Sequence, residues 1–166
     1  MKQFLLGLGG TGSKIVDNVA QIVGRNNRDI QCLCLDTDNQ DVSKVNSSRV
    51  IKTSSNYAIR SYLQNLPNWM EWFPDDQINM SKTMSDGAAQ IRIDSRLAFE
   101  CAQNGNILTQ VENAVSQLML ADGRANQDIK IMVVSSLSGG TGSGMVLQIP
   151  YYIRKKHRHE TKVSCK

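Results

Sequence analysis

The chain lacks the features that would assign it to a membrane, secreted or metal-binding class. No apolar run is long enough to span a membrane, and no signal-peptide-like segment precedes the first strand-like run. The four cysteines, at positions 32, 34, 101 and 165, are not spaced as metal ligands. We expect buried, free thiols, with the first two on one face of a strand, and a reducing, cytoplasmic compartment.

The sequence also lacks a strong charge of one sign. The net charge of the 166 residues is +4, and the basic excess lies in residues 154–159, which contain no aromatic residue. Basic residues at the end of a helix complement its dipole, so we do not expect nucleic acid as a partner. The length and the 40% apolar content suit one compact domain over residues 1–166.

What the sequence does have is a pair of glycine-rich loops. The first glycine loop is residues 7–13 (GLGGTGS), and the second glycine loop is residues 138–144 (SGGTGSG). Each follows an apolar, strand-like run and precedes a helix-like run. A strand that feeds a glycine turn at a helix N terminus directs backbone N–H groups to one point, where anions bind. Glycine permits close approach of the backbone to phosphate oxygens, so the two loops point to the phosphates of a nucleotide.

The hydrophobic pattern around the loops predicts an α/β fold assembled from right-handed βαβ units. Strands are expected at residues 4–6, 30–35, 49–52, 129–134 and 161–165, and helices at 11–24, 91–121 and 145–156. The long second helix is expected to bend near residues 104–106, and Pro150 should kink the last helix or mark a shorter one. Residues 54–85 form an irregular, polar insertion whose two tryptophans are expected to build a small satellite core.

The first glycine loop alone fits a different function. Gly7, Gly9 and Gly12 satisfy G-x-G-x-x-G, and Asp36 ends the second strand where a dinucleotide-binding fold places its ribose-binding acid. An NAD-binding Rossmann module is therefore one alternative. A triphosphate nucleotide held between two helix N termini better explains why there are two loops. Neither loop has the Gly-Lys-Ser/Thr ending of a Walker A motif. A second alternative is a non-catalytic interaction protein whose insertion binds a partner.

Four segments, in order along the chain, resemble those of the tubulin and FtsZ superfamily of GTPases. The second glycine loop is similar to the signature loop of the family, and the first is similar to its first phosphate loop. Residues 36–41 (DTDNQD) resemble the second loop of FtsZ, and residues 86–92 (DGAAQIR) resemble the third loop. The GAAQIR form departs from FtsZ and suggests a divergent prokaryotic, tubulin-like branch. The resemblance begins at about residue 2 and leaves residues 54–85 unmatched.

The resemblance implies a three-layer, Rossmann-like parallel sheet that binds GTP or GDP, with Mg²⁺. Asp38 and Asn39 would lie near the phosphates or the Mg²⁺ ion. Arg92 would lie near the nucleotide or a subunit contact, or on a solvated helix face. The residues that would contact phosphates are Gly9, Gly10, Thr11, Gly12 and Ser13 in the first glycine loop, Gly87, Ala88 and Ala89 at the γ-phosphate, and Ser138, Gly139, Gly140, Thr141, Gly142 and Ser143 in the second glycine loop.

The family places its ribose and base contacts, and the acid that activates water, after the fifth strand, beyond residue 166. We therefore expect this chain to be the N-terminal nucleotide-binding part of a longer GTPase rather than a truncated relative. The longer protein would assemble head to tail into filaments. Because phosphoryl transfer depends on positioned charges and an aligned water, we expect little hydrolysis by this chain alone and assign no catalytic residue. The base preference cannot be predicted from these residues.

Overall fold

A four-stranded parallel sheet forms the centre of the computed structural model. The structure describes residues 1–24, 27–54, 57–64, 66, 68–74, 80–83, 88, 91–103, 107–120 and 129–156. The strands are β1 (Lys2–Leu8), β2 (Ile30–Asp36), β3 (Arg49–Lys52) and β4 (Ile129–Ser135), in the order β3-β2-β1-β4. β1 lies between β2 and β4, with Leu5 opposite both Cys32 and Met132. The four strands agree with the sequence prediction, and the predicted fifth strand falls outside the described residues.

Seven helices accompany the sheet within the described ranges. They are α1 (Gly9–Val23), α2 (Asn39–Lys44), α3 (Ile59–Leu63), α4 (Arg92–Gln103), α5 (Ile107–Leu120), α6 (Thr141–Met145) and α7 (Gln148–Lys156). α1 ends as predicted, at Gly24, which has a φ of 80° and donates its N–H to the Ala20 carbonyl. None of these helices is long and apolar enough to cross a bilayer.

Two predicted helices are divided in the structure. The helix expected over residues 91–121 is two helices, α4 and α5, and residues 104–106 between them lie outside the described part. The helix expected over residues 145–156 is replaced by α6 and α7. Pro150 lies in the first turn of α7, where a missing N–H breaks no intrahelical hydrogen bond. The shorter-helix alternative is therefore confirmed.

Side chains of the sheet alternate between two apolar clusters. Phe4, Leu6 and Leu8 of β1 belong to the larger cluster, which also contains residues of α4, α5 and α7. Leu5 belongs to the smaller cluster, which contains Val16 of α1. Helices therefore cover both faces of the sheet, as the three-layer prediction requires. Cys32 and Cys34 share the smaller cluster and are free thiols, also as predicted.

The described part of residues 54–85 packs onto the main core. Ile59, Leu63 and Phe73 are buried members of the larger cluster, and Trp69 and Trp72 pack against it. The prediction of a separate satellite core is therefore wrong. The isolated apolar residues of this segment have no regular period, so no sequence pattern indicates that they reach the helices on that face. Trp72 also receives the guanidinium of Arg96 over its ring, 4.4 Å from the centroid.

Candidate functional site

The two glycine loops touch each other at the carboxyl ends of β1 and β4. A Cβ atom on Gly9 would lie 2.8 Å from the backbone nitrogen of Gly142, and a Cβ on Gly142 would lie 2.7 Å from the carbonyl oxygen of Leu8. Gly9 also has a φ of 71°, in the left-handed region. A side chain at either position would force the loops apart. The fold therefore brings together two segments that are far apart in the sequence, and it depends on glycine to do so.

An open cleft of about 990 Å³ lies above this contact. It is lined by residues of both glycine loops, by the end of β2, and by Ala88. The predicted site residues that line it are Gly9, Gly10, Thr11, Ser13, Asp38, Ala88, Gly139, Gly140, Thr141 and Gly142. Four other predicted residues, Gly12, Asn39, Ser138 and Ser143, are not among the lining residues. Gly87 and Ala89 lie outside the described residues.

Gly12 contributes to the site through packing. A Cβ on Gly12 would collide with the carbonyl oxygen of Val134 in β4. Glycine at this position therefore lets α1 lie directly against the sheet, which fixes the direction of the N terminus of α1. The next residue, Ser13, lines the cleft, is 1% exposed, and has no hydrogen-bond partner for its Oγ in the described part of the chain.

Hydroxyl groups hold the second glycine loop in place. The Ser143 hydroxyl donates to the carbonyl oxygens of Gly139 and Gly140, so it is directed at the loop itself. Thr141 Oγ1 lies 2.6 Å from Thr37 Oγ1, which ties the loop to the end of β2. Gly139, by contrast, has open space where a Cβ would stand. The loop therefore combines a supported backbone with an accessible surface.

A buried carboxyl group lies at the floor of the cleft. Asp36 is 1% exposed; its Oδ1 accepts the N–H of Asp38 at 3.1 Å, while its Oδ2 has no partner among the residues that the structure describes. Burial, together with the nearby carboxylates of Asp41 and Asp38, raises the pKa of Asp36 to about 6. Asp38 caps α2 by accepting the N–H of Gln40 at 2.7 Å, and Asp41 pairs with Lys44 at 2.9 Å.

The cleft continues along one face of α1, which the sequence analysis did not identify. Asp17 on this face accepts backbone N–H groups from Asn46, Ser47 and Ser48. Although burial alone would raise the pKa of Asp17, these hydrogen bonds lower it. The side chains of this face that line the cleft are Lys14, Asp17, Asn18 and Gln21. These four residues follow Gly10 at helical spacing, and none of them is apolar. This pattern is the sequence signal that indicates a polar helix face beside the loop.

Arg92 contacts the chain just before the second glycine loop rather than the cleft. Arg92 is exposed and donates from Nη2 to the carbonyl oxygen of Leu137 at 3.0 Å, just before the second glycine loop, and it does not line the cleft. Within the described ranges, no group of three histidine, cysteine or acidic residues could hold a metal ion by itself.

Solved structures of similar fold come from archaea and bacteria. CetZ2 from Haloferax volcanii, solved as a GTPgS-bound protofilament, has a TM-score of 0.55 and 16% identity, covering 93% of this chain and 36% of its own. CetZ from Methanosaeta thermophila has a TM-score of 0.52 and 14% identity, covering 95% of this chain and 34% of its own. TubZ from Bacillus thuringiensis serovar israelensis, solved as a GTPyS-form protofilament, has a TM-score of 0.50 and 16% identity, covering 94% and 34%.

The chain thus spans about a third of the length of these solved proteins. Comparison with curated protein sequences gives no match. The model of one protein family, described as "Tubulin like", matches residues 4–165, which is nearly the whole chain. Together with the parallel sheet and the paired glycine loops, this match shows that the chain belongs to the tubulin-like family.

Proposed function

We propose that this chain binds GTP or GDP by its phosphates, in the cleft between the two glycine loops. The observation that carries the proposal is the contact of Gly9 with Gly142, which brings the N termini of α1 and α6 to one cleft. Unpaired N–H groups and the helix dipole make each such terminus favourable for an anion. Two of the similar structures were solved with a GTP analogue, which supports guanine nucleotides as the ligand.

The residues of the cleft fit a phosphate chain. Gly139 leaves open space where any side chain would intrude, and Ser13 offers a buried hydroxyl that no described residue uses. We assign Gly9, Gly10, Thr11 and Ser13 to the α- and β-phosphates and Gly139, Gly140, Thr141 and Gly142 to the β-phosphate side. Gly12, Ser138 and Ser143 support these backbones, and Ala88, with Gly87 and Ala89 beside it, is assigned to the γ-phosphate.

The charge of the cleft indicates that the nucleotide binds as its Mg²⁺ complex. Four carboxyl groups line the cleft, Asp17, Asp36, Asp38 and Asp41, against the two cations Lys14 and Lys44. A bare triphosphate would be repelled by such a surface, whereas a divalent ion attracts both carboxylates and phosphates. We propose that Asp38, with Asn39 beside it, lies near this ion. The ion would neutralise phosphate charge.

For the longer protein, we propose a cytoplasmic GTPase that assembles head to tail and hydrolyses GTP in the assembled form. The protofilament structures of CetZ2 and TubZ support this assembly. This chain spans about a third of those proteins, which supports the proposal that residues 1–166 bind the phosphates and that other parts of the longer protein have other roles. Aligned water and positioned charges for hydrolysis would then come from other parts of the assembly.

Thermal unfolding with added ligands tests the proposal. The chain is heated with GTP, GDP, ATP or NAD, each with Mg²⁺, beside a Gly139→Val variant that places a side chain in the open space of the second loop. A ligand at 100 times its Kd should stabilise the chain by about 2.7 kcal/mol, because it binds only the native state. GTP or GDP should raise the Tm of the wild type and not of the variant.

Other outcomes would narrow or contradict the proposal in distinct ways. An equal shift with ATP and GTP would support phosphate binding and show that residues 1–166 do not themselves select the guanine base. A shift with NAD alone would favour the dinucleotide-binding alternative, in which only the first glycine loop and Asp36 are used. No shift with any nucleotide would make the proposal wrong and favour an interaction protein.

A further inference from the structure

Ser95 connects the first turn of α4 to the second glycine loop. Its side chain is 0% exposed, and its Oγ lies 2.9 Å from the carbonyl oxygen of Arg92 and 2.8 Å from that of Gly140. The first contact lies within α4 and is one that serine often makes in helices. The second contact reaches a different segment, the second glycine loop. Gly140 precedes α6 directly, so the hydroxyl reaches the point where the second loop becomes a helix.

The surroundings of Ser95 show that α4 and α6 pack very closely. A Cβ on Gly144 would collide with the Ser95 hydroxyl and with the carbonyl oxygen of Arg92. The Arg92 guanidinium donates to Leu137, at the entry to the second loop, at 3.0 Å. The first turn of α4 therefore contacts the second-loop region at three places: Leu137, Gly140 and Gly144. Tightly packed elements of this kind move together.

The Gly140 carbonyl oxygen is a shared acceptor. It receives the N–H of Gly144 at 3.0 Å, as the first carbonyl of α6, and lies 3.2 Å from the Ser143 hydroxyl. The Ser95 hydroxyl is a further donor to this carbonyl oxygen, and it belongs to a different helix, α4. Since a peptide unit is planar and trans, its N–H points opposite to its C=O. Holding the Gly140 carbonyl against α4 therefore directs the N–H of Thr141 away from α4.

The chain just before α4 reaches the cleft. Ala88 lines the cleft, is 3% exposed, and accepts the N–H of Ile91 at 2.6 Å through its carbonyl. Ile91 immediately precedes α4. Ala88 is thus linked by this hydrogen bond to the residue before α4, and the first turn of α4 contacts the second loop through Ser95, which connects these two parts of the cleft wall to one element.

We propose that Ser95 is a positioning residue that couples the segment at Ala88 to the second glycine loop, and that this coupling raises the preference of the site for GTP over GDP. The inference rests on the proposed function, in which Ala88 faces the γ-phosphate. Of these two parts, GDP contacts only the second loop, whereas GTP must contact both at once. Both nucleotides also contact the first loop, so the comparison concerns only the second loop and the Ala88 segment. Loss of the fixed spacing between these two parts therefore weakens GTP binding more than GDP binding. Ser95 itself lies beneath the cleft and touches no nucleotide.

The test compares Ser95→Ala with a matched control, Ser43→Ala. The Ser43 hydroxyl donates to the Gln40 carbonyl at 2.7 Å, so it makes the same contact three residues back in a helix, without a second contact to a loop. Dissociation constants for GTP and GDP are measured for the wild type and both variants. We expect Ser95→Ala to weaken GTP binding about five-fold and GDP binding less than about two-fold, and Ser43→Ala to leave the ratio unchanged.

The ratio of the GTP and GDP dissociation constants is informative, because general loosening of the fold would weaken the binding of both nucleotides equally. An unchanged GTP-to-GDP ratio in Ser95→Ala overturns the proposal, and so does equal affinity of the wild type for the two nucleotides. If Ser95→Ala does not fold, Ser95→Cys keeps a side chain of similar size with only a weak donor and gives the same ratio measurement.

Backbone amide resonances of the nucleotide-free chain separate this proposal from the proposed function. Ser95→Ala should shift the amide resonances of both Thr141 and Ala88, whereas Ser43→Ala should shift neither. If the wild type binds no nucleotide, the proposed function is wrong. The amide shifts still show whether Ser95 couples the segment at Ala88 to the second glycine loop. Unchanged resonances at either Thr141 or Ala88 would overturn it.

Discussion

The two glycine loops have similar sequences but are held in place by different interactions. In the first loop, Gly7, Gly9 and Gly12 each meet backbone atoms where a Cβ would stand, and α1 begins without a side-chain cap. In the second loop, Gly139 has open space, and hydroxyls of Ser143 and Ser95 hold the loop carbonyls. The first loop is therefore fixed by the packing of the fold. The second is fixed by packing at Gly142 and Gly144, and side-chain hydrogen bonds hold the carbonyls of Gly139 and Gly140.

This difference predicts which changes unfold the chain and which alter only binding. Substitutions in the first loop push helix and sheet apart, because their neighbours are backbone atoms that cannot move independently. In the second loop, a substitution at Gly139 fills open space, and one at Ser143 removes a hydroxyl contact, while the sheet stays intact. Glycine thus has a structural role at Gly12 and a ligand-facing role at Gly139.

The largest expected effect comes from Gly12→Ala. Its new Cβ would collide with the Val134 carbonyl oxygen, so we expect the free energy of unfolding to fall by about 3 kcal/mol. Urea denaturation followed by circular dichroism measures it. Gly139→Ala makes the same chemical change where no atom lies within 4 Å, and it should change stability by less than about 0.5 kcal/mol. Equal losses in both variants would erase the distinction between the loops.

Asp36 lies beneath both loops and should make stability depend on pH. Its pKa rises from 3.8 in the unfolded chain to about 6, so the folded state retains a proton that the unfolded state releases. The free energy of unfolding should therefore fall as pH rises from about 4 to 6, by roughly 2 kcal/mol, and stay level above that range.

Asp36→Asn should remove this fall in stability. The variant should be more stable than the wild type at pH 7.5 and no more stable at pH 4, as measured by urea midpoints at both values. Asp29→Asn serves as the control, because Asp29 is exposed and lies outside the cleft. A wild-type stability that rises between pH 4 and 6 would contradict the prediction.

A smaller effect is expected from Thr37→Val, which tests the hydroxyl support of the second loop. Thr37 is 0% exposed, and its Oγ1 lies 2.6 Å from that of Thr141. Loss of this hydrogen bond should lower the free energy of unfolding by about 1 kcal/mol. Thr53→Val is a matched control, since the buried Thr53 hydroxyl has no partner in the part of the chain described. We expect that variant to be as stable as the wild type or more so.

The smallest expected effect is that of Lys14→Ala, on nucleotide binding. Lys14 follows the first loop on α1, lines the cleft, and forms no ion pair with any described residue. An exposed charge contributes little, so we expect about three-fold weaker GTP binding at low salt and no difference near 0.5 M salt. Lys130→Ala, an exposed lysine outside the cleft, should have no effect at either salt concentration.

Sequence patterns predicted the parts of this structure that depend on local order. The buried run of β1, the helix-stopping Gly24 and the glycine loops each carry a signal within a few residues, and the structure contains them. The contact between Thr37 and Thr141 and the reach of Ser95 to Gly140 could not be predicted, because they depend on which elements become neighbours in space. For the same reason, Ser143 was predicted as a phosphate ligand from its motif alone, whereas its hydroxyl is directed at its own loop.

The contact between Gly9 and Gly142 has a consequence for folding. It joins the first turn of α1 to the loop after the last described strand, so the cleft is assembled only after β4 has paired with β1. Contacts of such long sequence separation form late, after the local helices. An intermediate built from β1, α1 and β2 alone would present half of an anion site. Nucleotide affinity would then appear together with the complete sheet, and a bound nucleotide would slow global unfolding more than local opening of either loop.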